Sequence, residues 1–225
     1  ILVLVILGMY TSIFAKGVNG YNLVPQYVDT VKTGGSFAMV ANGKASTIYV
    51  DASDWKGVCR AANDLANDIK AVTGVKTKVV ESTTSINASV IIGTIGKSKL
   101  IDNLIAQKKL NVDGIRGQWE SFVIETIDGN LVVAGSDKRG TIYGIYDISE
   151  KIGVSPWYYW ADVPVKKSGN LYVKNGRYVL PSPKVKYRGI FINDEWPSFG
   201  GGAKDKFGGT NSKMYATMFE LLLRL

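Results

Sequence analysis

The 225-residue sequence has no histidine and one cysteine. Without histidine, the commonest zinc ligand and the usual base of a nucleophilic triad are missing. A lone cysteine excludes an intrachain disulfide. Cys59 falls on the expected inner face of a helix and reads as a small core residue, not a nucleophile. The opening apolar run, Ile1 to Leu7, is too short to cross a bilayer, so no stable membrane insertion is expected of it. Also lacking is any basic run interleaved with aromatics, despite a formal charge of +8. Lys76 and Lys78 are followed by Glu81, and Lys97 and Lys99 by Asp102, which describes a solvated surface and argues against nucleic acid. The charge is also compatible with an acidic polymer as ligand, without requiring one.

What is present supports a packed core, since 46% of residues are apolar and 11% aromatic. The run at Ile1 to Leu7 gives way to small and polar residues through Gly20, the pattern of a signal-peptide remnant over 1–20, the alternative being a buried N-terminal strand. From Ser36 the pattern becomes regular. Phe37 to Val40 and Thr47 to Val50 read as strands around the turn signal Asn42-Gly43. Ser53 or Asp54 is placed to cap a helix whose apolar residues, from Trp55 through Leu65 to Val72, recur at helical spacing up to Gly74. Lys76 to Val80 and Ser89 to Ile92 are further strands, and Ser98 to Leu110 a shorter helix. Ser121 to Ile127 and Leu131 to Ala134 form a hairpin about Asp128-Gly129-Asn130, and Gly140 to Ile152 is a helix ended by Gly153. Alternating strands and helices with one clear hairpin predict an α/β (α+β) fold, a two-layer sandwich on a mixed sheet.

After Pro164 the composition shifts to Lys, Gly, Asn and Pro, which reads as a connector with a short strand near Leu171 to Val173. The division expected is an N-terminal α/β domain with its connector over 21–180 and a second unit over 181–225. In that unit Tyr187 to Ile192 is expected to be a buried strand, followed by a Gly-rich loop and a helix from Ser212. One strand, loop and helix make a single β/α repeat, which cannot bury its faces alone. The expectation is therefore a fragment that stops as a barrel begins.

Three stretches could carry chemistry. The strand at Tyr187 to Ile192 delivers Asn193, Asp194 and Glu195 together at its C-terminal end, beside Trp196. In β/α barrels that end builds the active site, where carboxylates orient hydroxyls or act as acid and base, and tryptophan offers a face for a sugar ring. On spacing alone the same carboxylates could simply cap the following loop. Gly135-Ser136-Asp137-Lys138-Arg139-Gly140 joins a strand to a helix start, an arrangement that suits an anion or, more plainly, a capped helix with Asp137 at the cap. Trp157-Tyr158-Tyr159-Trp160 puts more aromatics in a row than one strand face can bury. They lie either between two domains or along a carbohydrate cleft.

Taken together, GSDKRGTIYGIY (135–146), GVSPWYYWADVP (153–164), KYRGIFINDE (186–195), KFGG (206–209) and FELLLRL (219–225) resemble glycoside hydrolase family 115, the xylan α-1,2-glucuronidases, from about Ser36 to the last residue. The resemblance implies an N-terminal domain similar to the second domain of β-hexosaminidases, then a TIM barrel. It also implies removal of glucuronic acid or its 4-O-methyl ether from glucuronoxylan with inversion, an acid and a base standing far enough apart to admit water. By carry-over Asp194 is the catalytic candidate. Asn193, Glu195, Trp157, Trp160, Asp137 and Arg139 are candidates for substrate binding. No cofactor or metal is implied, export from the cell is, and a homodimer of the full-length enzyme is compatible. Two rivals remain on the residues alone: a binding or barrel-supporting module, and another glycosidase such as a hexosaminidase.

Overall fold

A computed structural model describes residues 25–193 and 195–225. The expected signal segment, 1–20, lies outside the described residues, as does Asp194.

The Asn42-Gly43 turn forms as expected, both residues having positive φ (52° and 72°), the geometry a two-residue hairpin needs. Its strands are Phe37–Ala41 (β2) and Lys44–Ala45 (β3). The next strand, Ile48–Val50 (β4), is not the hairpin partner and enters a different sheet. The two residues between β3 and β4, Ser46 and Thr47, are enough for the chain to change sheets, which the spacing did not reveal. Val28–Asp29 (β1) and Leu171–Val173 (β9) join β2 and β3 in a small four-stranded sheet ordered β1-β9-β2-β3.

The larger sheet has six strands. Val79–Glu81 (β5), Val90–Thr94 (β6), Phe122–Ile127 (β7), Asn130–Gly135 (β8) and Arg177–Leu180 (β10) join β4 in the order β10-β7-β8-β6-β4-β5. Strands β5, β4, β6 and β8 run parallel, β7 is antiparallel to β8, and β10 is antiparallel to β7. The mixed sheet read from the sequence is therefore present. Every residue of β6 and β8 is buried, as expected of central strands covered on both faces. Helices Lys56–Thr73 (α1) and Lys138–Ile152 (α3) cover one face, packing Leu65, Ile69, Ile142 and Ile145 against Val90, Ile92, Leu131 and Val133. Helix Lys99–Ala106 (α2), with Leu110, Val112 and Ile115, covers the other through Ile91, Val123 and Val132.

The caps differ in part from expectation. Gly74 and Gly153 end α1 and α3 in the left-handed conformation. Asp137 caps α3 as predicted. Helix α1 has no side-chain cap, because Ser53 and Asp54 are otherwise engaged. Ser53 donates to Asp51, and Asp54 accepts the amides of Trp55 and Thr94 at 2.7 and 2.6 Å, stitching the helix start to the end of β6.

The stretch read as a connector contributes β9 to one sheet and β10 to the other, so residues 171–180 belong to the folded α/β unit. Two corrections concern the C-terminal stretch. The expected Gly-rich loop contains a helix, Phe199–Phe207 (α4), before the predicted Ser212–Arg224 helix (α5), which is capped by Asn211. Ala203, Lys204 and Lys206 carry α4 past three glycines, and Gly208 ends it. The expected buried strand at Tyr187 to Ile192 is unpaired, with Tyr187 86% and Phe191 90% exposed. No strand within the described residues lies beside it to complete its hydrogen bonds or cover its side chains. Helix α5 packs on α3.

Candidate active-site segment

Asn193 and Glu195 follow an apolar stretch that begins near Val185. Asn193 and Glu195 are exposed there, and Asp194 falls outside the described residues. At the start of this stretch, Arg188 donates to the Val185 carbonyl at 2.7 Å and to Glu120 Oε2, also at 2.7 Å. Beyond it Trp196 is exposed, with the Lys204 ammonium 5.9 Å from its ring centre.

The four aromatics divide by environment. Trp160 sits 6.1 Å from Phe207 of α4, and its indole N–H donates to the Thr217 carbonyl of α5 at 3.4 Å. Tyr159 also meets Phe207 at 6.1 Å, and the Tyr158 hydroxyl donates to Glu220 Oε1 at 3.1 Å. Tyr158, Tyr159 and Trp160 thus contact the C-terminal helices while each keeps part of its surface exposed. Trp157 is 45% exposed, the most open of the four.

The Gly135 loop is organised by its own carboxylate. Asp137 accepts the Gly140 amide on Oδ1 at 2.7 Å and the Glu120 amide on Oδ2 at 3.0 Å, so both oxygens serve the backbone. Arg139 Nε forms an ion pair with Glu120 Oε1 at 2.8 Å. A cleft of about 520 Å³ opens beside them at the carboxyl ends of β6 and β8, bordered by Trp55, Lys97, Lys138 and Arg139. The Lys97 and Lys138 ammonium groups lie 4.6 and 5.7 Å from the Trp55 ring centre. Asp137 lines the same cleft, so its charge is mixed and it does not single out an anion. Among the described residues no cluster of His, Cys, Asp and Glu could hold a metal ion.

Sequence reading missed Glu120, which joins the Gly135 loop to the 185–195 segment. The signal was available. Counting outward from the Asp128-Gly129 turn pairs Phe122 with Gly135, and two further steps set Glu120 beside Asp137, next to the arginine at 139.

Residues 181–225 match Glycosyl hydrolase family 115, and residues 38–148 match Glycosyl hydrolase family 67 N-terminus. A solved family GH115 4-O-methyl-α-glucuronidase with specificity for decorated arabinogalactans superposes with a TM-score of 0.71 at 33% identity, over 84% of this chain and 24% of its own. A GH20 β-N-acetylhexosaminidase from Streptomyces coelicolor A3(2) is 14% identical with a TM-score of 0.41, over 71% of this chain and 26% of its own. A Streptomyces plicatus β-hexosaminidase is 15% identical with a TM-score of 0.39, over 71% of this chain and 25% of its own. The chain therefore spans about a quarter of the length of these solved proteins. No curated protein matches the sequence.

Proposed function

This chain resembles glycoside hydrolase family 115 through its match over 181–225 and its 33% identity to a solved family member, and on that ground we propose that the whole protein is a glycoside hydrolase removing (4-O-methyl)-glucuronic acid side chains from glucuronoxylan. The observation that carries this reading is the shared fold and sequence across 84% of the chain with a 4-O-methyl-α-glucuronidase. In this reading the 181–225 unit opens a TIM barrel, and Tyr187 to Ile192 is its first strand once neighbouring strands supply partners. That accounts for an apolar stretch left exposed within these residues. Asp194 would stand at the strand's active-site end, flanked by Asn193 and Glu195, which orient hydroxyls of the sugar. Inversion requires a second carboxyl roughly 6.5–9.5 Å away to activate water, and it would come from another barrel strand. Trp157 offers a stacking face, while the α/β domain holds the barrel. A polysaccharide substrate fits export of the protein, with 1–20 as the remnant of a signal peptide.

A second substrate has a specific basis, because the similar solved enzyme is described as acting on decorated arabinogalactans. The test is direct. The full-length protein, incubated separately with glucuronoxylan and decorated arabinogalactan, should release glucuronic acid or its 4-O-methyl ether from one of them. Asp194→Asn should lower kcat by about 10²–10⁴-fold, the usual worth of a positioned proton-transfer group. Release of N-acetylhexosamine instead, or undiminished turnover by Asp194→Asn, overturns the assignment. The 225-residue chain alone should release no uronic acid.

A further inference from the structure

We infer that Glu120 is a positioning residue for the active-site segment, fixing through Arg188 where the stretch leading to Asn193, Asp194 and Glu195 begins and in which register it runs. This inference rests on the reading of that segment as the first barrel strand.

The side chain of Glu120 is 2% exposed and takes one arginine on each oxygen, Arg139 at 2.8 Å and Arg188 at 2.7 Å. Both arginines are about half exposed, so the carboxylate is the fixed member and the guanidinium groups are the mobile ones it holds. Its own place is determined several times over. Its amide donates to Asp137 Oδ2, the Ser121 amide to Ser136 Oγ at 3.0 Å, and the Ser182 hydroxyl to the Trp119 carbonyl at 2.6 Å. The backbone of Glu120 is left-handed, with φ of 55°, a conformation that a non-glycine residue keeps only where its surroundings impose it. A buried carboxylate is a poor way to gain stability, since an apolar side chain of similar size usually serves as well. What it supplies is direction, because a guanidinium meets a fixed carboxylate in few geometries.

Arg188 needs such a hold. Between Arg188 and Asn193 the chain forms no strand among the described residues, and its apolar side chains are largely exposed. In an extended chain Arg188 and Asp194 point to the same side, being an even number of residues apart, and Asn193 and Glu195 to the other. Slipping the register by one residue exchanges the two sets. Fixing Arg188 therefore decides which polar groups face the barrel mouth.

The test uses Glu120→Gln, Arg188→Gln and the double variant in the full-length protein, on whichever polymer the parent hydrolyses. Each single variant should lower kcat on the order of tenfold to a hundredfold, with KM within about threefold, since misplacement taxes the reacting geometry more than binding. The double variant should lose no more than the worse single one, because both remove the same contact. Arg188→Lys, at a half-exposed site that should not disturb folding, should recover part of what Arg188→Gln loses. Losses that multiply, or an unchanged kcat in folded variants, overturn the inference. A second readout needs no turnover. Trypsin cleavage of the 225-residue chain after Arg188 should quicken roughly tenfold in Glu120→Gln, as release of a charge-assisted contact predicts, and an unchanged rate also overturns it. An inactive parent with accelerated cleavage would sink the functional reading alone.

Discussion

Asp147 shows how much a single side chain can cost when buried. It accepts the Tyr27 hydroxyl at 2.7 Å and lies 3.9 Å from the Lys151 ammonium. Burial nevertheless outweighs both and raises its pKa to about 6. The folded state thus binds its proton more tightly than the unfolded chain, whose carboxyl titrates near the ordinary value of 3.8. Between these two values stability falls as pH rises, because ionising the buried group is the unfavourable step. Relative to Asp147→Asn, the parent should lose about 2 kcal/mol of unfolding free energy between pH 4 and pH 7. Urea titrations at several pH values measure this, and a difference that does not vary with pH would contradict it. None of this was legible in the sequence, where Asp147 is one polar position on a helix and its depth depends on Tyr27, 120 residues away. Cys59 was legible. It packs partly against the core, and burial pushes its thiol pKa up, away from reactivity.

The elements were read most reliably where local chemistry commands them. The Asp128-Gly129 turn, Gly74 and Gly153 all require positive φ, and each stands where the sequence put it. Asp137 heads α3 for the same kind of reason, and it also ties that helix to Glu120. Asp137→Ala should therefore cost about 1–2 kcal/mol, the upper range for a cap, measured by the urea midpoint with an unchanged slope. A loss of a few tenths would mean that neither bond contributes as argued. Reading failed where context decides. Helix α4 contains Gly200, Gly201 and Gly202, a composition that propensity alone assigns to a loop. Residues 187–192 have a strand's composition without a strand's neighbours.

At the scale of the whole molecule, Arg224 joins the last helix to the α/β unit. Its guanidinium bonds Asp68 through both terminal nitrogens at 2.8 and 3.3 Å and Glu220 through Nε at 2.9 Å. It also lies 4.4 and 5.2 Å from the ring centres of Tyr146 and Tyr158. Arg224→Met leaves Asp68 buried without its cation and should destabilise the chain by about 3–5 kcal/mol. Adding Asp68→Leu should restore most of that loss, because the pair contributes less than either isolated charge costs. Equilibrium unfolding of the three variants separates the outcomes, and a double variant no better than Arg224→Met would refute this account. The same contact places Tyr158 in the joint between the units, which is why the aromatic run could not be divided between joint and cleft from its order alone.

The sequence by itself determined the alternation of strands and helices, the turns that glycine and asparagine permit, the cap at Asp137 and the set of motifs shared with family 115. These follow from backbone sterics, from periodicity and from short runs of residues, all local properties. Only the tertiary structure decided that β3 and β4 part into two sheets, that Arg177–Leu180 adds a strand to the larger one, that Tyr158, Tyr159 and Trp160 meet the C-terminal helices, and that Glu120 holds two arginines from distant segments. Each of those depends on which residues meet across the fold. That information is carried by the packed whole, where burial sets the cost of a charge and proximity sets its partner.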